Sequence, residues 1–558
     1  MSSANPLYWT ASSAKSRAPM RKSAAFALVL LGTVAVAASS AFVASDRWDL
    51  GACVAFVALA CAGFGASLSA GALSSGLLKK YLLISWFVAT PIASYFIRFP
   101  ADKSIVTFDR LMICGLGLWL VLEEFGLLGA MPGSSARTSA APAPQGPDGQ
   151  GGVHTTARSA SRYRISATKF EIAFGLLAVL ALVSVVTQSS HVATALRTAF
   201  DAMILPLIVF RLARHWLSVK THAGILVFLA ILLSLFLLIT GSYELLTGVN
   251  LFPLKGSDLL RDGEFRVNGP FVADSSYALI ALLLAVFLLA APRLLGINRR
   301  TKVGVALTVA ALPAIIATLL PLFRSVVLAL GVCWILIEAL GSKVEAAARH
   351  RGDSKESNSE QLAGLQPINR DQSRRRPISG AKPAAIVAGV LVLFIAVAFA
   401  AGGGQTMARL TSARNVFGRL VTWQTAVNIW ATHPALGVGL GNYGDSFSQG
   451  HAQGRSSLET ALSTHVASSP HSNVLWIASE LGAVGVVLYL VAHFYLFAMG
   501  LGTMRRAMTL RARATAVCFL AVLIAYWIPG LELETGAYWD VNLYYFFILG
   551  FLSSKNAD

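Results

Sequence analysis

Residues 222–242 read HAGILVFLAILLSLFLLITGS, an apolar run free of Asp, Glu, Lys and Arg. About 20 such residues cross the hydrocarbon core of a bilayer as a helix. Working outward, similar runs lie near 24–44, 51–73, 81–98, 108–128, 170–187, 195–213, 275–292, 303–320, 322–341, 384–401, 472–498, 515–530 and 541–553. Glu123 and Glu124 interrupt the fourth span in chain order, and Pro321 leaves room for the ninth and tenth to be one broken helix. The expectation is an all-α, polytopic transmembrane bundle of about 12–14 spans, with a large outward-facing, partly helical loop between late spans.

Composition agrees. The chain is 55% hydrophobic and 13% charged, against roughly 25% charged in a soluble domain. A net charge of +18 would suit nucleic acid, but the basic residues sit in short runs between apolar segments. No nucleic-acid partner is expected. Cys53, Cys61, Cys114, Cys333 and Cys518 all fall in apolar stretches without ligand spacing, which reads as buried small hydrophobes rather than a metal site. Lys15, Arg17, Arg21 and Lys22 precede the first apolar run, which we read as an uncleaved first helix.

The basic runs set the expected orientation. Lys79-Lys80, Arg158 to Arg164, Arg293 to Lys302, Arg374 to Arg376 and Arg505 to Arg513 fall on one side when the N-terminus is cytoplasmic. Both termini are then cytoplasmic. The organisation reads as N-terminal helices in 1–130, a disordered cytoplasmic loop in 131–168 and central helices in 169–341 with an outward loop at 243–274. A disordered basic cytoplasmic loop in 342–383 and a C-terminal region in 384–558 with an outward loop at 402–470 follow. The two cytoplasmic loops carry too little apolar surface to offset the entropy of ordering.

The outward loop 402–470 is rich in Arg, His, aromatic residues and glycine. Within it Val416, Leu420, Trp423, Val427 and Trp430 recur at spacings of four and three, the stripe of an amphipathic helix at the outer membrane surface. The same stripe would also suit a helix packed on the bundle. Then comes His433-Pro434-Ala435-Leu436-Gly437-Val438-Gly439-Leu440-Gly441-Asn442-Tyr443, which stops the helix in a tight turn. Its alternating glycines lack the preceding strand of a dinucleotide fingerprint. Further on, Ser469-Pro470-His471-Ser472-Asn473 opens a span that continues to Glu480-Leu481-Gly482 and Gly485.

From Gly418 to Gly485 this pattern resembles the O-antigen ligase/polymerase superfamily: Arg419 and Trp423, His433-Pro434 with Gly437 and Gly439, then His471, Glu480, Gly482 and Gly485. One departure is Ser472, which separates His471 from Asn473. Two earlier arginines also fit. Arg266, in Phe265-Arg266-Val267-Asn268-Gly269, follows Glu244, Thr247 and Gly248; Arg324 opens a span after Phe323, where the family places Ser.

The resemblance implies a membrane glycosyltransferase of the bacterial inner membrane, with its active site facing the periplasm. Its donor would be an undecaprenyl-diphosphate-linked glycan and its acceptor a lipid A-core or a growing polysaccharide. No cofactor and no metal are expected, and membrane lipids are the remaining partners. His471 is the expected general base. Arg266, Arg324 and Arg419 are the expected diphosphate-binding residues, because guanidinium stays charged and grips phosphate with two hydrogen bonds. Trp423, His433, Tyr443 and Glu480 are expected to contact sugar or acceptor or to be structural. His451 and His465 are alternative bases, and Arg409, Arg414 and Arg455 could bind headgroups or polysaccharide. Glu532 and Glu534 read as a solvated turn. O-antigen ligase, polysaccharide polymerase and protein O-oligosaccharyltransferase remain open within the family. A lipid-linked oligosaccharide flippase or transporter is the alternative class, and a non-catalytic assembly scaffold the third.

Overall fold

The computed structural model describes residues 75–96, 98–99, 106–125, 153–252, 260–261, 264–299, 301–341, 392, 413–452, 469–507 and 509–554. The expected spans at 24–44, 51–73 and 384–401 lie outside the described residues. The chain divides into two units, Met1–Asp109 and Arg110–Asp558. In the first, the helix Ser75–Phe96 buries Trp86, whose indole donates to Asp109 at 3.0 Å. A short antiparallel ladder pairs Arg98–Phe99 with Val106–Thr107.

The second unit is a helical bundle. Among the described residues, eight helices are long and apolar enough to cross a membrane: Ala167–Gln188, Val192–Trp216, Val219–Thr247, Asp274–Leu294, Lys302–Leu319, Arg324–Gly341, Asn473–Arg506 and Leu510–Gly530. Trp539–Leu552 is a shorter apolar helix. Asp274–Leu294 is buried along its whole length, as a helix apolar on every side should be. Leu510–Gly530, Leu312–Leu319, Val219–Thr247 and Trp539–Leu552 pack around it, while Asn473–Arg506 runs along Val153–Gln188. The outer helices turn apolar stripes away from the core, as Ile172, Leu176, Val179, Val183 and Val186 do on Ala167–Gln188. Water would not tolerate such a surface on this scale, whereas acyl chains would.

One expectation changes. The helix ending at Gln188 begins at Val153, inside the segment 131–168 expected to be disordered. Extending a nucleated helix adds one hydrogen bond per residue fixed, so polar residues can join it cheaply. Around Pro321 the chain makes two separate spans, as the runs 303–320 and 322–341 read, with Leu322 between them at a left-handed φ of 59°.

Helix direction places the ends of Ala167–Gln188, Val219–Thr247 and Leu510–Gly530 beside the starts of Asp274–Leu294, Asn473–Arg506 and Trp539–Leu552. The opposite end carries Arg293, Arg299 and Arg511. There Arg293 donates to the Ile337 carbonyl at 3.1 Å and Arg511 to that of Leu295 at 3.1 Å, while Arg299 pairs with Glu338.

Candidate functional site

The glycine-rich turn and the Glu-x-Gly helix of the sequence reading are two halves of one structure. Asn473–Arg506 breaks at Gly482, whose φ of 66° and ψ of −166° are not helical. Into that break docks the turn after His433. Val438 and Gly439 donate to the carbonyls of Ser479 and Glu480 at 2.9 and 3.0 Å, and Ala483 donates to that of Pro434 at 2.8 Å. Backbone groups freed by the kink are therefore paired again, as a low-dielectric interior demands.

Glu480 completes the joint. Its carboxylate is buried, accepting the Trp476 indole N–H at 2.7 Å and the Tyr443 backbone N–H at 3.2 Å. Trp476 and Tyr443 each offer it an N–H group, not the cation of a salt bridge. The second caps the helix Tyr443–Ala452. Tyr443 is itself fully buried, and its hydroxyl donates to the Thr422 carbonyl at 2.9 Å. The enclosed ring packs against Phe447 at a tilt of 39°, with centroids 5.9 Å apart.

The helix Ala413–Thr432 buries Thr422, Ala426 and Ile429, and exposes Leu420, Val427 and Trp430. Its apolar stripe thus faces away from the bundle, the arrangement of a helix lying in a membrane interface. Trp423 is half-buried. His433 is exposed, and its carbonyl accepts the Gly437 N–H at 3.0 Å, so its backbone shapes the turn. Arg414 falls in the first turn of this helix and His451 at the end of Tyr443–Ala452. His465, Arg409 and Arg455 lie outside the described residues.

The connection Leu531–Tyr538 links the site residues. Glu532 accepts Arg419 at 2.9 Å. The Glu534 carboxyl interacts electrostatically with the side chain of Ser469, two residues before His471. Asn473, two residues after it, donates to Thr535 Oγ1 at 2.6 Å and accepts the Gly536 N–H at 2.8 Å. Burial pushes the Tyr538 hydroxyl up to about 12; a bond with Ser275 opposes this, and Asp274, Glu534 and Asp540 add to it. Asp274 in turn holds Arg266 at 3.0 Å. Arg419 and the turn carrying His471 therefore share one connection, and Asp274, the partner of Arg266, lies two residues before Ser276, which donates to Asp540 just beyond that connection. Glu534 is buried, which corrects the reading of a solvated turn; half-exposed Glu532 keeps part of it. Burial raises the Glu534 carboxyl well above the usual range, the Ser469 bond opposes this, and Glu480 adds to the rise.

His471 itself has a left-handed φ of 51° and is half-buried. Arg266 sits on a turn pinned by buried Glu244, which accepts the N–H groups of Asn268 and Gly269 at 3.0 and 2.8 Å. Gly269 has φ of 55° and lies against the Tyr277 ring. Arg324 starts the span Arg324–Gly341 from an exposed position. Four residues earlier, Leu320 lies against Gly241, near the end of Val219–Thr247 that carries Glu244. Sequence reasoning missed Asp274, Thr535 and Tyr538. It also missed Asp201, held by Arg110 at 2.8 Å in a π-helical turn, Phe200–Ile204, that packs near Thr535–Ala537.

These features define a multi-pass helical membrane protein with a polar site built at one end of the bundle. Residues 370–490 match a family model described as O-antigen ligase. That stretch contains the His433 turn, His471 and Glu480, but neither Arg266, Arg324 nor the connection Leu531–Tyr538. The resemblance to the O-antigen ligase/polymerase superfamily is thus supported by this domain match, while no curated protein matches the chain.

Proposed function

We propose that the chain is an inverting, metal-independent membrane glycosyltransferase using undecaprenyl-diphosphate-linked glycan at the outer face of the inner membrane. It would act as an O-antigen ligase or as an O-antigen or exopolysaccharide polymerase. In this reading the acceptor hydroxyl attacks the anomeric carbon of the donor's first sugar as the bond to the diphosphate oxygen breaks. The proton passes to His471, and the lipid diphosphate leaves with the electron pair. A neutral imidazole with an ordinary pKa of about 6.5 suits that role near neutral pH. Arg266, Arg324 and Arg419 would stabilise charge growing on the leaving group. Arg266 and Arg419 are each paired with a carboxylate, Asp274 and Glu532, and the Arg266 pair is the more buried of the two.

The observation that carries this reading is the convergence of Arg419 and the His471 turn on Leu531–Tyr538, with the Arg266–Asp274 pair beside Ser276, which bonds Asp540. The cluster of Arg293, Arg299 and Arg511 at the opposite end supports the orientation in this reading. Basic residues favour the cytoplasmic side, which turns the site outward.

The test supplies purified protein with undecaprenyl-diphosphate-linked glycan and either lipid A-core or polysaccharide acceptor, without added nucleotide. Wild type should form a new glycosidic bond, and His471→Ala should lose on the order of 10²–10⁴-fold in rate. Transfer unaffected by that substitution would remove the assigned base. Movement of donor between leaflets with no new bond would favour the flippase.

A further inference from the structure

We propose that Asn473 and Asn542 are positioning residues for His471, their amides bonding the N–H and the carbonyl of Gly536 so that the His471 turn is held at the start of its span. The inference rests on His471 being the base of the proposed reaction.

A left-handed φ at a residue with a side chain is unfavourable and persists only where the surroundings over-determine it. His471 has such a φ, 51°. The next residue, Ser472, stands at the N-cap of Asn473–Arg506 but makes no side-chain cap bond. Asn473, one residue further on, supplies an anchor from outside its own helix. Its Nδ2 donates to Thr535 Oγ1 at 2.6 Å, and its Oδ1 accepts the Gly536 N–H at 2.8 Å. Asn542 Nδ2 donates to the Gly536 carbonyl at 2.6 Å, and its Oδ1 accepts the Tyr526 hydroxyl at 2.9 Å. A backbone N–H can only donate and a carbonyl only accept, so both amide orientations are fixed.

These bonds cross between helices. Tyr526 belongs to the span Leu510–Gly530, Asn542 to the helix Trp539–Leu552 and Gly536 to the tight turn Thr535–Ala537, while Asn473 begins the span that follows His471. Asn473 and Asn542 are 2% and 1% exposed, and an amide so buried is costly unless it is bonded. Asn473 also has little room to swing away. A Cβ on Gly530 would stand 2.5 Å from its Nδ2, and one on Gly536 3.2 Å from its Oδ1. Hydrogen bonds are directional where apolar packing is not, so the residue that starts the helix after His471 is held in one place and one orientation.

The experiment measures transfer, with donor KM and kcat separated, for wild type, His471→Ala, Asn473→Ala, Asn542→Ala, Thr535→Val and Thr535→Ser. Each is first checked for monodisperse elution and thermal midpoint in detergent. Misplacing a catalytic group by about 1 Å can cost on the order of 100-fold. Asn473→Ala, Asn542→Ala and Thr535→Val should therefore lower kcat about 10- to 100-fold, leaving donor KM within about twofold. Thr535→Ser keeps an acceptor for Asn473 Nδ2 and should recover most of the loss seen in Thr535→Val. If His471→Ala is inactive while the asparagine variants and Thr535→Val keep wild-type kcat, with or without a lower midpoint, the positioning role is overturned and the base stands. A donor KM that rises as far as kcat falls also overturns it, since the amides would then support donor binding. If His471→Ala transfers normally, the base reading falls and takes this inference with it. Should the asparagine variants not fold, the kcat values of Thr535→Val and Thr535→Ser decide.

Discussion

Gly437 lies against the backbone of Glu480 so closely that a Cβ built on it would stand 2.6 Å from the Glu480 carbonyl oxygen. Its φ of 67° is also left-handed. The turn and the broken helix can meet only if this position has no side chain.

Gly437→Ala should consequently be strongly destabilising. The strained conformation alone costs about 1–3 kcal/mol, and the backbone clash adds to it. Thermal unfolding in detergent checks this against Gly331→Ala, an exposed helical position with open space around it. There alanine should be neutral or stabilising by up to about 1 kcal/mol. Equal midpoints for the two variants would contradict the docking described.

Glu480 tests the same joint through hydrogen bonds. Removing its carboxylate strands the Trp476 indole and the Tyr443 N–H, two buried donors. Each stranded group costs about 1–3 kcal/mol. Glu480→Ala should lower the unfolding midpoint more than Glu480→Gln, whose carbonyl oxygen can still accept. If Glu480→Ala unfolds like wild type, the carboxylate is not what ties the Tyr443–Ala452 helix to the span.

The arginines should separate by surroundings. Arg266 is partly buried against Asp274, while Arg419 and Glu532 are more exposed. Exposed ion pairs contribute about 0–1 kcal/mol, so Arg419→Ala should leave folding intact. On the proposed reaction, Arg266→Ala should reduce kcat/KM for the lipid-linked donor more than Arg419→Ala does. Arg266→Lys should recover only part of the loss, because a lysine lacks the two-bond grip on phosphate. The transfer assay with donor titration reads all three; equal losses would remove the distinction.

The helical class was legible because a bilayer demands long apolar runs, and residues 222–242 meet that demand without help from context. The importance of Gly437, Gly482 and Glu480 was legible as pattern, though not as cause. Their spacing shows residues needed together, but only the backbone bonds between 438–439 and 479–480 explain why. The stripe through Leu420, Val427 and Trp430 had the right period, yet period cannot say whether an apolar face meets protein or lipid. Glu534 was misread because a carboxylate in a short polar connection normally meets water. Its burial depends on Asn473 and Ser469, more than 60 residues earlier in the chain. Asp201 was invisible for a similar reason: its partner Arg110 comes from another helix.

Glu534 also makes stability depend on pH in a direction that can be worked out. Burial raises its folded pKa, the Ser469 bond opposes the rise, and Glu480 increases it. Tyr443 and Tyr538 face the same carboxyl, and burial pushes both hydroxyls up as well. In the unfolded chain a glutamate ionises near pH 4.3. Above that pH the folded protein keeps a proton that the unfolded chain has lost. The native state then binds more protons, so stability falls as pH rises. This contribution is fully present below the unfolded pKa and is lost as pH rises through the raised folded pKa. Glu534→Gln mimics the protonated form at every pH and removes this term. The unfolding midpoint of Glu534→Gln should therefore lie close to wild type near pH 4 and rise progressively above it as pH increases. Midpoints measured in detergent across that range check it, and a pH-independent gap between the two proteins would show that the folded carboxyl does not hold its proton.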